Sequence, residues 1–181
     1  VGVGTGATVG KLLDPAAWTK GGLGAARVSA GEAAVVAVAV VNPIGDVLAA
    51  DGSVLAGAWR DGGYVRAVDL IAAGARTPIA AGRANTTLVC LCTDARLTKR
   101  EAWLVARAAT AGVARAVVPS ATASDGDMTF CLASGAVEAD PLAVGVLAAE
   151  ATTLAIRDAV AQATGAPGCP SAADRLWCRE S

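Results

Sequence analysis

Residues 33 to 41 read AAVVAVAVV, an unbroken apolar run rich in valine. Branched β-carbons favour extended backbone, and apolar residues at both parities are the mark of a strand buried on both faces. The run stops at Asn42-Pro43-Ile44-Gly45-Asp46, a turn sequence. Asn42 therefore stands at a strand end, where a side chain either points into a cleft or caps its own loop.

Other elements follow from local signals. Asp51-Gly52 is a tight-turn dipeptide and predicts a hairpin over residues 47–59. The weakly patterned stretch 60–84 predicts a short helix around Val65–Ala73, then a mobile linker. A strand over Thr87–Thr93 leads to a helix opened by the capping box Thr98-Lys99-Arg100-Glu101, with Ala102, Val105, Ala108 and Ala109 on its apolar face. Ala116–Val118 predicts a short strand stopped by Pro119. Asp140-Pro141 is a helix start, and that helix is expected to run to about Thr164 and stop at Gly165, with Ala143, Gly145, Ala148 and Ala149 allowing close packing on a sheet. Residues 167–181 read as a loosely held tail. With 181 residues, 54% of them hydrophobic, the chain suits one mixed α/β domain over residues 1–166.

Composition removes several functions. The net charge is −1 with no basic tract, and aromatics are 3%, so the phosphate-binding and stacking groups of nucleic-acid proteins are missing. No apolar run reaches bilayer length; the longest candidate, Leu142 to Ile156, carries Glu150. The start lacks a signal-peptide pattern, and free thiols in a reducing cytosol fit the five cysteines, although Cys169 and Cys178 are able to pair. A cytoplasmic location is expected. None of the cysteines has zinc-finger spacing, and no metal or organic cofactor is expected. The opening without Met, inside a glycine loop, is expected of a fragment of a longer protein.

The chain has 0 histidines. Ser-His-Asp and Cys-His triads are thereby excluded, as is every His-ligated metal site. A hydrolase of this composition needs another proton acceptor, and an α-amino group titrating near 7.7–8.0 is the obvious one.

That directs attention to residues 82–94, GRANTTLVCLCTD. On its own, Asn85-Thr86-Thr87 is a polar entry to a buried strand. Beside a mobile linker it also reads as a self-cutting site that exposes Thr86 as an N-terminal nucleophile. Downstream, Asp125 and Asp127 flank Gly126 just before another apolar strand. An EF-hand is excluded there because no distal acidic ligand follows. Near the start, Gly2-x-Gly4-x-x-Ala7 fits a loose dinucleotide fingerprint, and Lys11 ends a glycine-rich run. A P-loop fails, since Thr5 and Leu12 stand where a Gly and a Ser/Thr belong. The plainer reading is a flexible loop whose glycines allow close backbone approach. A nucleotide-binding protein using Gly2–Gly10, and a catalytically silent packing domain, are the competing readings.

GTGATVGK, KGGLG, VVNPIGDV, NTTLVCLCTDARLTK and SDGDMTFCLASG, in that order, resemble the blocks of the self-processing family that contains D-aminopeptidases, β-peptidyl aminopeptidases and nylon-oligomer endohydrolases. The Asn-Thr junction and the Asp-Gly-Asp loop look most like the nylon-oligomer branch. The resemblance spans Val1 to about Ala163, and family precursors carry a further N-terminal portion. It implies a four-layer αββα-type sandwich built from two fragments, here 1–85 and 86–181. It also implies a homo-oligomer of those heterodimers and a peptide or small amide substrate. By the same resemblance Thr86 is the nucleophile, Asn85 the residue left on the other fragment, and Asp125 and Asp127 the acidic pair that orients the nucleophile. Asn42 corresponds to the site asparagine and donor to the oxyanion, and Lys11 to the lysine beside the nucleophile, with Lys20 a weaker claimant.

Overall fold

The structure, a computed structural model, describes residues 2–76 and 85–177. The mobile linker expected before Thr86 falls largely outside them. The opening loop leads to β1 (Thr8–Val9) and β2 (Thr19–Lys20), which pair antiparallel. Next come β3 (Gly22–Ala30) and β4 (Ala33–Asn42), the second being the valine-rich run. The Asp51-Gly52 hairpin forms as expected from β5 (Asp46–Leu48) and β6 (Val54–Ala56). A second hairpin, β7 (Ala58–Arg60) and β8 (Gly63–Val65), turns at Asp61 and Gly62, both at positive φ. It takes residues expected to remain irregular, and it moves the start of the short helix, α1 (Ala67–Ala72), past Val65.

Then follow β9 (Thr86–Ala95), α2 (Lys99–Ala116), β10 (Val117–Val118), β11 (Met128–Val137), α3 (Pro141–Ala161) and α4 (Ala172–Trp177). Both halves of the Thr98–Glu101 capping box are made, and Asp140 accepts from the amide of Leu142 at the start of α3. α3 stops at Ala161 rather than Thr164. Gly165 serves a different purpose there, because a Cβ on it would lie 2.3 Å from Asp174 Oδ2.

The main sheet has the order β11-β9-β4-β3, with β9 parallel to β11 and antiparallel to β4. Alternation sends Val35, Ala37, Ala39 and Val41 of β4, and Thr87, Val89, Leu91 and Thr93 of β9, to one face, where all are buried. α2 and α3 cover that face. The covering is close because glycine replaces side chains at the contacts: a Cβ on Gly24 would meet Ala155 O at 2.2 Å, and one on Gly112 of α2 would meet Ala149 O of α3 at 2.2 Å. Gly145 and Ala149 thus serve α2–α3 contact, while Ala155 and Ala159 rest on the sheet.

The other face corrects the expectation for β4. Its valines at 36, 38 and 40 are only half-buried, and the strands beside it carry Leu23, Leu88, Met128 (52% exposed), Phe130 (51%) and Leu132 (60%) toward solvent. The described residues therefore form helices on one side of a sheet whose second apolar face is uncovered among them. The tail also differs from expectation. Arg175 donates to the carbonyls of Ala16 and Trp18, Lys20 N to Pro170 O, and Ser171 shares a reciprocal cap with Asp174. The bonds to residues 16, 18 and 20 tie this segment down, and the cap is local to it. Among the described residues no helix is long and apolar enough to cross a membrane.

Beside the main sheet, Asp46 is 2% exposed and accepts from the amide of Ala67 at 2.6 Å, capping α1. Its Oδ1 has no hydrogen-bond partner among the described residues, and burial pushes this carboxyl up to about 6. The folded state therefore holds its proton where the unfolded chain has lost it, and this group's contribution to stability falls as pH rises from about 4 through 6. We predict that the stability advantage of Asp46→Asn over wild type grows across that window, by on the order of 2–3 kcal/mol. Urea midpoints at pH 4.5 and 7.5 measure it; an advantage independent of pH contradicts the shift.

The two faces of the sheet also predict different costs. Leu91→Ala, on the covered face, should cost about 2–5 kcal/mol. Leu132→Glu, on the open face of this chain, should stay within about 0.5 kcal/mol of wild type and reduce aggregation. Equal destabilisation by the two would contradict the layer assignment.

Candidate active site

Strand register builds the site. In the β4–β9 ladder Asn42 stands opposite Thr86, so the two residues neighbour each other at one end of the sheet, on its uncovered face. The next residue along, Thr87, points the other way and is buried against the helices.

Lys11 arrives from the opening loop. That loop is not the flexible segment expected from its glycines. Gly10 N donates to Gly45 O, Lys11 N to Ile44 O, and Ala7 N to Gly4 O. Gly10 has φ +78° and a Cβ there would lie 2.1 Å from Ala58 N, so the glycine content serves close backbone packing. Buried at 4% exposure, Lys11 donates from Nζ to Asn42 O at 2.8 Å, to Asn42 Oδ1 at 2.6 Å and to Asn85 Oδ1 at 3.1 Å. Thr8 N donates to the same Asn42 Oδ1 at 3.0 Å. Two donors on one oxygen fix the Asn42 amide, turning its NH2 away from Lys11.

Lys20 is separate from this cluster. Its Nζ donates to the carbonyls of Gly4, Ala7 and Gly21, and burial holds its pKa below the ordinary lysine value. Through these backbone oxygens it staples the opening loop to β2.

The acidic loop enters from the β11 side. Asn85 and Asp125 form a single parallel β-bridge, with Gly126 N donating to Asn85 O at 2.7 Å. Asp127 Oδ1 accepts from Thr87 N at 2.7 Å and Oδ2 from Ala121 N at 3.4 Å. Asp125 Oδ2 accepts from the Thr122 hydroxyl at 2.7 Å, and Oδ1 from Ile44 N at 3.4 Å. The Asn85 amide donates to Ser124 O at 3.4 Å. A cleft of about 480 Å³ opens beyond the loop, lined in part by Ala114, Ala121, Asp125, Asp127 and Met128, so the loop borders open space.

Lys11, Asn42, Asn85, Thr86, Asp125 and Asp127 thus converge on one stretch of backbone. The acidic residues hold the backbone around Thr86, Asp127 through the amide of Thr87 and Asp125 through the bridge to Asn85. Lys11 orients Asn42 and Asn85. Gly126 was not singled out by the sequence, where its only signal is its place between the two aspartates.

With this geometry in place, likeness to known proteins becomes informative. Among solved structures the chain resembles a Pyrococcus horikoshii OT3 protein with a TM-score of 0.66, at 21% identity over 99% of this chain and 50% of that one. It resembles a β-aminopeptidase from a Burkholderia species with a TM-score of 0.57, at 22% identity over 87% and 44% of the two chains. It also resembles the L-aminopeptidase D-Ala-esterase/amidase of Ochrobactrum anthropi, described as a variant of the Ntn hydrolase fold, with a TM-score of 0.60, at 21% identity over 98% and 50%. The fold is therefore a mixed α/β fold similar to Ntn-hydrolase-type aminopeptidases. An uncharacterised aminopeptidase of Mycobacterium leprae (strain TN) is 39% identical over 143 residues, covering 77% of this chain and 38% of that protein. The chain belongs to peptidase family S58, whose pattern matches residues 1–171. It spans about half the length or less of these relatives.

Lys11→Met keeps the length of the side chain and removes its donors to Asn42 and Asn85. We predict a loss of roughly 2 kcal/mol, read from the denaturation midpoint, because the buried Asn85 loses the lysine donor to its Oδ1 and Asn42 Oδ1 loses one of its two donors. An unchanged midpoint would show that this lysine does not hold the site together.

Proposed function

We propose that this chain carries the catalytic centre of an amide hydrolase that first cuts itself between Asn85 and Thr86 and then works through Thr86 as an N-terminal nucleophile. The observation that carries this reading is convergence. Lys11, Asn42 and the Asp125–Asp127 loop, from three separate parts of the chain, all bond to or face the backbone at residues 85–87. A polar strand entry with no further role does not require a buried lysine and two aspartates around one peptide bond.

In the proposed cycle, the amine freed at Thr86 accepts the proton of its own hydroxyl, directly or through water, which answers the lack of histidine. A carboxylate close to that amine favours its charged form, so the acidic loop acts by positioning rather than as two independent bases. The NH2 of Asn42, turned away from Lys11, is the candidate donor to the oxyanion formed on a substrate. Peptides, β-peptides and ω-amino acid oligomer amides of the nylon type are the candidate substrates. The names of the Burkholderia and Ochrobactrum neighbours support the first two, and the Asn-Thr junction with its Asp-Gly-Asp loop supports the third.

The same reading proposes the missing layers. A second sheet, supplied by the part of family members that this chain does not span, would cover Leu88, Phe130 and Leu132 and complete a four-layer sandwich. The competing nucleotide-binding reading is not favoured, because the amides of Ala7, Thr8, Gly10 and Lys11 are already committed to internal acceptors.

Intact mass of the purified protein beside its Thr86→Ala variant tests the proposal. Wild type should resolve into two fragments meeting between Asn85 and Thr86, and the variant should stay whole. A wild type that remains one chain, both alone and when fused to the family's upstream portion, would remove Thr86 as the nucleophile.

A further inference from the structure

The Asp-Gly-Asp loop grips the backbone on both sides of the Asn85–Thr86 bond. Ahead of the bond, Gly126 N donates to the carbonyl oxygen of Asn85; behind it, Asp127 accepts from the amide of Thr87; both distances are 2.7 Å. We infer that the Gly126 amide is the donor that stabilises the oxyanion during self-cleavage, and that glycine is required at 126 to leave room for the attacking hydroxyl. This rests on the self-cleavage reading and adds a group that the reading alone does not supply.

The second half of the argument is steric. A Cβ built on Gly126 would stand 3.0 Å from Thr86 Oγ1 and 3.8 Å from Asn85 O. The hydroxyl and the carbonyl oxygen therefore lie side by side against the bare face of Gly126. Any side chain there would press on the nucleophile, at a contact tighter than carbon atoms ordinarily accept. Asn42 is differently disposed, with its side-chain oxygen committed to Lys11 and Thr8.

The step is an N-to-O acyl shift. Thr86 Oγ1 forms a bond to the carbonyl carbon of Asn85 and gives up its proton to a water, which delivers a proton to the Thr86 nitrogen as that nitrogen leaves. The carbonyl π pair moves onto oxygen, where the Gly126 N–H already points. Collapse breaks the bond to the Thr86 nitrogen, which takes up a proton and becomes the free amine, and water then opens the resulting ester. A donor placed on the carbonyl in the ground state strengthens as charge develops on that oxygen, and it does so without reorganisation.

The test replaces the 126 amide with an ester by incorporating glycolic acid at that position, which deletes the N–H and adds no bulk. The rate of fragment appearance after refolding of the full chain is followed by mass, and the melting temperature is measured alongside. Wild type should cleave, and the glycolate chain should fold but cleave about a hundredfold more slowly. A bond of purely structural value would lower the melting temperature and leave the rate within about threefold, which would overturn the inference while keeping self-cleavage. Gly126→Ala supplies the second arm. It retains the N–H and crowds Oγ1, so at least tenfold slower cleavage is expected, and a wild-type rate would overturn the steric claim. A wild type that never cleaves removes the inference together with the reading beneath it.

Discussion

The pairing of β4 with β9 is the constraint on which the rest depends. Side chains alternate along each strand, so a slip of one residue would send Val89 and Leu91 to solvent and turn Leu88 and Cys90 into the helices. Burying a valine or leucine side chain stabilises by about 1.5–3 kcal/mol. Four covered positions on each strand therefore hold the register firmly. Its consequence at the end of the ladder is that Thr86 faces the uncovered side beside Asn42. The orientation of the candidate nucleophile is thus decided by hydrophobic packing several residues away.

Two buried lysines show how one device serves two ends. Removing an ammonium from water costs several kcal/mol, offset only where hydrogen-bond acceptors surround it. Lys20 is surrounded by backbone carbonyls of the opening loop and its neighbouring strand, and the result is a staple. The acceptors of Lys11 include the side chains of Asn42 and Asn85, and the result is two amides held in fixed orientation beside one peptide bond. Sequence position did little to separate them, since both lysines adjoin glycine-rich stretches, Lys11 at the end of one and Lys20 at the start of another. Only the identity of the acceptors distinguishes the structural residue from the one built into the site.

What was legible in the sequence depended on how far apart the determinants lie. The Asp51-Gly52 hairpin, the Thr98–Glu101 box and the Asp140-Pro141 helix start are each decided within a few residues, and each formed as expected. The docked tail was not legible, because Arg175 holds carbonyls at residues 16 and 18 across the whole chain. Nor was the open face of β4, since an apolar run records what could be buried and not whether a covering layer is present. Within the site, the side chains carried recognisable patterns, helped by resemblance to a family. Gly126 carried none, as its contribution is an amide that any residue but proline possesses, together with an absence of side chain.

The arrangement also bears on what a nick would do. Strand ends ordinarily fray, because they lose neighbours on one side. A cut before Thr86 would place a new terminus at the start of β9, yet β9 lies between β4 and β11 in the interior of the sheet. The ladder pairs Thr86 with Asn42, and the carboxylate of Asp127 holds the very next amide. Core residues on both sides of the cut, Val35 and Ala39 from one and Leu91, Val105 and Ala148 from the other, share one cluster. Breaking a single covalent bond there leaves the packing that fixes both fragments intact. A freed amine at Thr86 would be the end of a chain in the covalent sense and an interior residue in the mechanical one, which is the combination an N-terminal nucleophile needs.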